Sequence, residues 1–303
     1  MRICSLLPSA TEILYALGLG ESLVGVSHEC DYPPAATQKP CVSRSRIDQD
    51  RWSSEEIDRA VRAALEGRER LYEVDVTALV AARPDLIVTQ ALCEVCAVGT
   101  PYVLDAIQAL PHQPRVISLH PHTLSELFEE IRLLGRLTDR TTHAEDLVTS
   151  CLHRIERIKT LVAGAVRPRV FCLEWLSPPM AVGHWVPEMV DLAGGTEVLG
   201  HAGRSSRYVT GQDIVAASPE AMVLMPCGFS IERTRRELSA VTAQPWWREL
   251  EAVRGGRVYL VDGPAYFNRA GPRLVDGIEL LAGLFHSDEM KAPHPGASPV
   301  ARL

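Results

Sequence analysis

Short apolar runs rich in β-branched residues alternate along the chain with longer segments whose apolar positions recur at helical spacing. The runs at 2–6, 23–26, 86–89, 116–119, 169–174, 221–225 and 258–262 read as strands. The segments separating them read as helices, and two carry start signals. Ser9-Ala10-Thr11-Glu12 and Thr123-Leu124-Ser125-Glu126 match the capping box, in which hydroxyl and carboxylate satisfy free backbone donors of the first turn. Strand–helix alternation of this kind predicts parallel sheets covered by helices.

A weak internal echo points to two halves. Leu79-Val80-Ala81-Ala82-Arg83-Pro84-Asp85-Leu86-Ile87-Val88 recurs as Ile214-Val215-Ala216-Ala217-Ser218-Pro219-Glu220-Ala221-Met222-Val223. In both, a helix ends before proline, an acid follows and a buried strand begins, a grammar also common to unrelated αβ loops. Between the halves, Ala144, Leu147, Val148, Cys151, Leu152, Ile155, Ile158 and Val162 mark one face of a single long helix. At 1.5 Å per residue it would reach ~30 Å. The expected organisation is therefore an N-terminal α/β lobe over 1–140, a connecting helix over 141–163, a C-terminal α/β lobe over 164–287 and a disordered, proline-bearing tail over 288–303.

Composition narrows the function. The 303 residues are 46% hydrophobic and 23% charged, with a formal charge of −7. That balance argues against a nucleic-acid surface. No run approaches the ~18 apolar residues of a membrane span, and Pro8 stops the first apolar run short of the roughly 7–15 residues of a signal-peptide core. As written, the chain reads as cytoplasmic; a start farther upstream would make it periplasmic or cell-surface. Eight cysteines in a chain of this length do not resemble a disulfide scaffold.

In open α/β sheets, ligands sit beyond the carboxyl ends of the strands. The segments there carry His28, Cys30 and Tyr32; Gln90, Cys93 and Cys96; Glu174, Trp175, His184 and Trp185; Cys227 and Phe229; and Phe267 and Arg269. Imidazoles, thiols and aromatics thus concentrate at one edge of both halves, which implies a cleft. Cys93-x-x-Cys96 suits ligand-lining thiols, two ligands of zinc or an iron–sulfur cluster, or a redox dithiol; Cys30, Cys227, His28 or His184 would have to complete a metal set. His184, beside Trp185, suits an axial ligand or a packing and hydrogen-bonding group. No dinucleotide fingerprint, Walker loop, Gly-x-Ser-x-Gly elbow or His-Glu-x-x-His is present.

Together these segments resemble the vitamin B12/iron-chelate substrate-binding proteins of ABC importers, the class III periplasmic binding fold. The likeness covers about 2–286. Ser5-Leu6-Leu7-Pro8-Ser9-Ala10-Thr11-Glu12 looks like the family's opening strand–turn–helix. Val24-Gly25-Val26-Ser27-His28, Asp31-Tyr32-Pro33-Pro34, Arg83-Pro84-Asp85-Leu86 and Arg269-Ala270-Gly271-Pro272 match later landmarks. A subgroup described as cobalamin-binding is similar in five motifs, which begin here at His28, Cys93, Glu174, Gly183 and Pro226. The resemblance implies an α/β fold: two Rossmann-like lobes with parallel sheets, joined by one long backbone helix, with a ligand cleft between lobes. It implies a non-enzymatic, monomeric protein holding a small-molecule ligand, a cobalamin/corrinoid or metal chelate, with an ABC permease as partner. Ser9, His28, Tyr32, Gln90, Glu174, Trp175, His184, Trp185, Phe229, Phe267 and Arg269 are the expected ligand contacts, the aromatics serving as flat apolar walls. Trp52 is expected to lie outside that site. Family members dock on the permease through a glutamate for which Gly99-Thr100-Pro101 offers no counterpart. The alternatives are a metal, iron–sulfur or haem protein using Cys30, Cys93, Cys96, Cys227 and His184, and an enzyme that has recruited the cleft.

Overall fold

Each apolar run read from the sequence becomes a strand of one of two main sheets. The computed structural model describes residues 1–48, 50–67, 71–90, 106–108, 110, 112–286 and 301–302, the last two by their backbone alone. The strands are β1 (Ile3–Ser5), β2 (Leu23–Val26), β3 (Ser43–Ser45), β4 (Tyr72–Val74), β5 (Leu86–Gln90), β6 (Arg115–Leu119), β7 (Arg169–Trp175), β8 (Met180–Ala181), β9 (Thr196–Glu197), β10 (Arg207–Tyr208), β11 (Ala221–Leu224), β12 (Val258–Leu260) and β13 (Ala301–Arg302). The chain divides into two compact units. The first comprises Met1–Asp48, Arg59–Pro121 and Ser125–Thr149; the second comprises Gln49–Asp58, His122–Leu124 and Ser150–Leu303.

In the first unit the order β2-β1-β5-β6 is parallel throughout. Its centre is buried on both faces: β5 is buried at all five positions, the first three apolar, as strands covered by helices on two sides require. A small antiparallel pair, β3 with β4, stands apart. The opening helix runs Pro8–Ala16 with Leu7 as its N-cap and no side-chain acceptor there. The expected box at Ser9 and Glu12 therefore does not form. Proline, with φ preset and no N–H to satisfy, takes the first turn and starts the helix two residues early.

The second unit repeats the parallel core as β9-β7-β11-β12. To it are added β8, which pairs antiparallel with β7, and β10, which pairs antiparallel with β8. β13 pairs antiparallel with β12, so these two residues of the expected disordered tail are in fact paired backbone. An open sheet edge offers unpaired N–H and C=O groups to any extended chain beside it. The remaining tail residues, 288–300 and 303, lie outside the described residues.

The segment read as one long helix is one helix, Thr141–Leu161, and the boundary of the units falls within it. Its C-terminal half is tied to the final helix, Leu274–Phe285, by Arg154. That guanidinium reaches Glu279 at 2.8 and 3.0 Å and Asp276 at 2.5 Å. Among the described residues no helix is long and apolar enough to cross a membrane.

Candidate functional site

In the first unit the predicted residues are drawn into internal contacts. Ser9 and Gln90 are buried. The Cys30 sulfur lies 3.0 Å from Thr11 Oγ1 and 3.1 Å from Ser27 Oγ, and Thr11 Oγ1 is 2.8 Å from Ser5 Oγ. This is a buried hydroxyl–thiol cluster. His28 Nδ1 stands 2.8 Å from Ser43 Oγ, and its ring lies 5.4 Å from that of Tyr72. Burial lowers its pKa, so the neutral imidazole is favoured. Tyr32 is 42% exposed, the one predicted aromatic that is open.

The second unit holds a denser constellation, and the path of its chain explains why. β7 runs seven residues and ends in Glu174-Trp175. The chain then doubles back as β8 and passes Gly183-His184-Trp185 into the helix Val186–Leu192, where proline again occupies the first turn. His184 adopts φ 51°, a left-handed conformation uncommon for a residue with a side chain. Two backbone bonds hold it there: His184 N–H to Arg204 O at 2.6 Å, and Gly203 N–H to His184 O at 2.8 Å. Gly183 permits the approach, since a Cβ at that position would stand 2.3 Å from Arg204 O.

Glu174 accepts a hydrogen bond from Ser206 Oγ at 2.6 Å. Burial raises its pKa, against hydrogen bonds from Ser206 and the Gly183 backbone that lower it. His184 Nδ1 faces His122 Nδ1 at 3.2 Å. Burial and then the neighbouring His122 lower the His184 pKa.

Four of the expected aromatic walls are packed away with their polar atoms satisfied or fully enclosed. Trp185 is 6% exposed and its Nε1–H donates to Phe267 O at 2.7 Å; Phe267 is 1% exposed. Phe229 is 1% exposed. Trp175, at 9%, donates to Ser54 O at 3.1 Å and packs on Phe229 with ring centroids 5.0 Å apart. On the Phe229 ring lies Arg233, its Cζ 4.1 Å from the centroid. Arg233 also donates to Trp52 O at 2.7 Å and pairs with Glu237 at 2.8 Å. Trp52 is thus bonded into the same cluster, correcting the expectation that it lies outside. These side chains build and brace the site rather than present bare faces. Physically, the helical and strand spacing that marks an aromatic as apolar is the same for a wall and for a core.

Cys227 is half-buried, and its N–H donates to Glu174 O at 3.0 Å. Arg269 is half-buried in the turn ahead of the last helix. Cys93, Cys96 and Gly99-Thr100-Pro101 lie outside the described residues. Among the described residues no group of three or more His, Cys, Asp or Glu could hold a metal. Sequence reasoning missed His122, Ser206, Ser54 and Arg233. His122 alone had a signal, since it follows β6 as the predicted residues follow their strands.

The periplasmic binding protein family matches residues 3–265. A vitamin B12-binding protein of Vibrio cholerae serotype O1 is 24% identical over 280 residues, which is 92% of this chain and 86% of that one. An uncharacterized ABC transporter substrate-binding lipoprotein of Bacillus subtilis is 26% identical over 298 residues, 96% of this chain and 81% of its own length. Among solved structures, a periplasmic heme binding protein from Pseudomonas aeruginosa superposes with a TM-score of 0.74 at 21% identity, covering 99% of this chain and 97% of that one. The family is a non-enzymatic transport component, and the protein is a substrate-binding protein, not an enzyme. By sequence over most of its length and by fold throughout, the chain belongs to the periplasmic binding protein family.

Proposed function

We propose that the protein binds a cobalamin or related corrinoid as the substrate-binding component of an ABC importer, outside the cytoplasm. The observation that carries this reading is the gathering of the Glu174–Ser206 pair and the His122–His184 pair by the excursion that follows β7. A corrinoid is rimmed by amides, which donate and accept hydrogen bonds, and bears cobalt at its centre, which accepts imidazole nitrogen. Carboxyl, hydroxyl and imidazole groups on a braced loop suit both features. Relatives named for vitamin B12 that align over most of their length support it. An iron-chelate or haem-type ligand is the second reading, favoured by the imidazoles and by the likeness to a heme-binding protein.

Titration with cyanocobalamin, cobinamide and hemin, followed by absorbance and calorimetry, tests both. Saturable corrinoid binding in the low micromolar range or tighter is expected, weakened at least about tenfold, or ~1.4 kcal/mol, in Glu174→Gln. Hemin binding without corrinoid binding selects the second reading. Binding of none of the three at high micromolar concentration overturns both.

A further inference from the structure

We propose that His122 and His184 form a two-imidazole site for a divalent transition-metal ion, at the same imidazoles that the reading above offers to a ligand. Their Nδ1 atoms stand 3.2 Å apart, with ring centroids at 5.2 Å and planes inclined by 39°. Two imidazole nitrogens bound to one tetrahedral ion at zinc-like bond lengths stand about 3.3 Å from each other. The pair therefore already spans the bite of a metal.

Both side chains are set from their backbones. His184 is held in its left-handed conformation by the bonds to Arg204 O and from Gly203 N–H, and its ring lies 5.6 Å from that of Trp185. His122 sits two residues ahead of the helix Leu124–Leu137, and Leu124 N–H donates to Glu188 Oε2 at 3.1 Å. Glu188 in turn belongs to the first turn of the helix that follows His184. One carboxylate thus links the two helix starts from which the imidazoles project.

Among the described residues no third His, Cys, Asp or Glu completes a set. The remaining positions of the ion are left to water or to donor atoms of a bound small molecule. Imidazole and open positions suit zinc, nickel, cobalt or copper rather than magnesium or calcium.

The test uses Ni²⁺ and Co²⁺ added to the purified, chelator-treated chain, read by calorimetry and by the visible spectrum of bound Co²⁺. One ion per chain is expected, with nitrogen and oxygen ligation and no thiolate charge-transfer band, so that the thiols are excluded as its ligands. His184→Asn keeps a residue that tolerates the left-handed conformation but removes the imidazole, and His122→Gln removes the other. Each is expected to weaken binding at least about tenfold, the lower bound for loss of a supporting group at a metal site. Melting in chelator shows whether each variant is folded. Unchanged affinity in the folded double variant overturns the site, as does a thiolate band or the absence of saturable binding in the parent chain. None of these outcomes depends on corrinoid or haem, so the failure of one reading leaves the other standing.

Discussion

Arg2 and Arg169 enter the first strand of their units in the same way. In the first unit the Arg2 N–H donates to Asp85 and its guanidinium to the carbonyls of Ala82 and Arg83. In the second, the Arg169 N–H donates to Glu220 and its guanidinium to Ala217 and Ser218. Arg83 and Ser218, the C-caps of the helices Val76–Ala82 and Gly211–Ala217, both take a left-handed conformation, at φ 43° and 45°. The echo in the sequence is therefore a repeated device, in which an arginine closes a helix C-terminus against the adjoining strand. The units part company directly afterwards. β1 has three residues and passes through Leu6-Leu7 straight into a helix. β7 has seven, and ten residues separate its end from the next helix, 176–185. His184 and Trp185 belong to that longer excursion, and Glu174 lies in the strand that leads into it. One scaffold thus serves twice, and the added chain length in one copy carries His184 of the proposed site.

The largest expected effect separates aromatic residues in the two units. Trp185→Ala removes a buried ring and leaves Phe267 O without its indole donor. A loss of about 3–5 kcal/mol is expected by urea denaturation. Tyr32→Ala, at an open ring of the first unit, is expected to cost under about 1 kcal/mol. Equal effects would show that Trp185 is not a packing residue and return it to the set of open ligand contacts.

Much of this comparison was legible from the residues. The seven main parallel strands fall within about a residue or two of their apolar runs, and the long helix begins where its periodic face begins. Such elements are specified locally, by spacing and by β-branched content. The two- and three-residue strands β3, β4, β8, β9 and β10 were not visible, because so few residues carry no period. The site was half legible. Position at or after a strand's end pointed to Glu174 and His184 as candidates, whereas the side chains they meet, Ser206 and His122, come from distant segments and are chosen by packing. The bonds of Trp175 to Ser54 and of Arg233 to Trp52 are of the same long-range kind.

A second test sets the buried acids of the two units against each other. Burial raises Glu130 of the first unit to about 7, with the His120 N–H bond opposing and Glu126 adding to the rise. Its unfolded value is near 4.5, so from there to about pH 7 the folded state binds a proton that the unfolded state releases. Stability from this group is complete below the unfolded value and is lost as pH rises through the folded one. After solvent screening the loss is expected to be about 1–2 kcal/mol. Glu130→Gln should abolish that slope in melts from pH 5 to 8. Glu174 in the second unit is raised by burial too, but Glu174→Gln is expected to lower ligand affinity as well. A Glu130 variant that alters binding as much as Glu174→Gln would break the assignment of the chemistry to the second unit.

The smallest expected effect tests whether the repeated arginine device is worth the same in both copies. Each guanidinium is exposed at one edge and bonded at the other, so its charge is largely screened and its value lies in the carbonyls it satisfies. A charge-assisted bond to a helix end contributes about 1 kcal/mol. Arg2→Ala and Arg169→Ala are each expected to lose about that much, and high salt should reduce the difference from the parent chain only slightly. Hydrogen exchange localises the effect, with faster exchange expected in Val76–Ala82 for the first variant and in Gly211–Ala217 for the second. Lysine at either position keeps the charge but lacks the planar fork that reaches two successive carbonyls, so it should restore less than half of the loss. If Arg169→Ala instead destabilises far more than Arg2→Ala, the second copy has come to depend on its clasp, as the unit that must hold the longer excursion in place. If both are neutral, the resemblance of the two corners is one of shape alone.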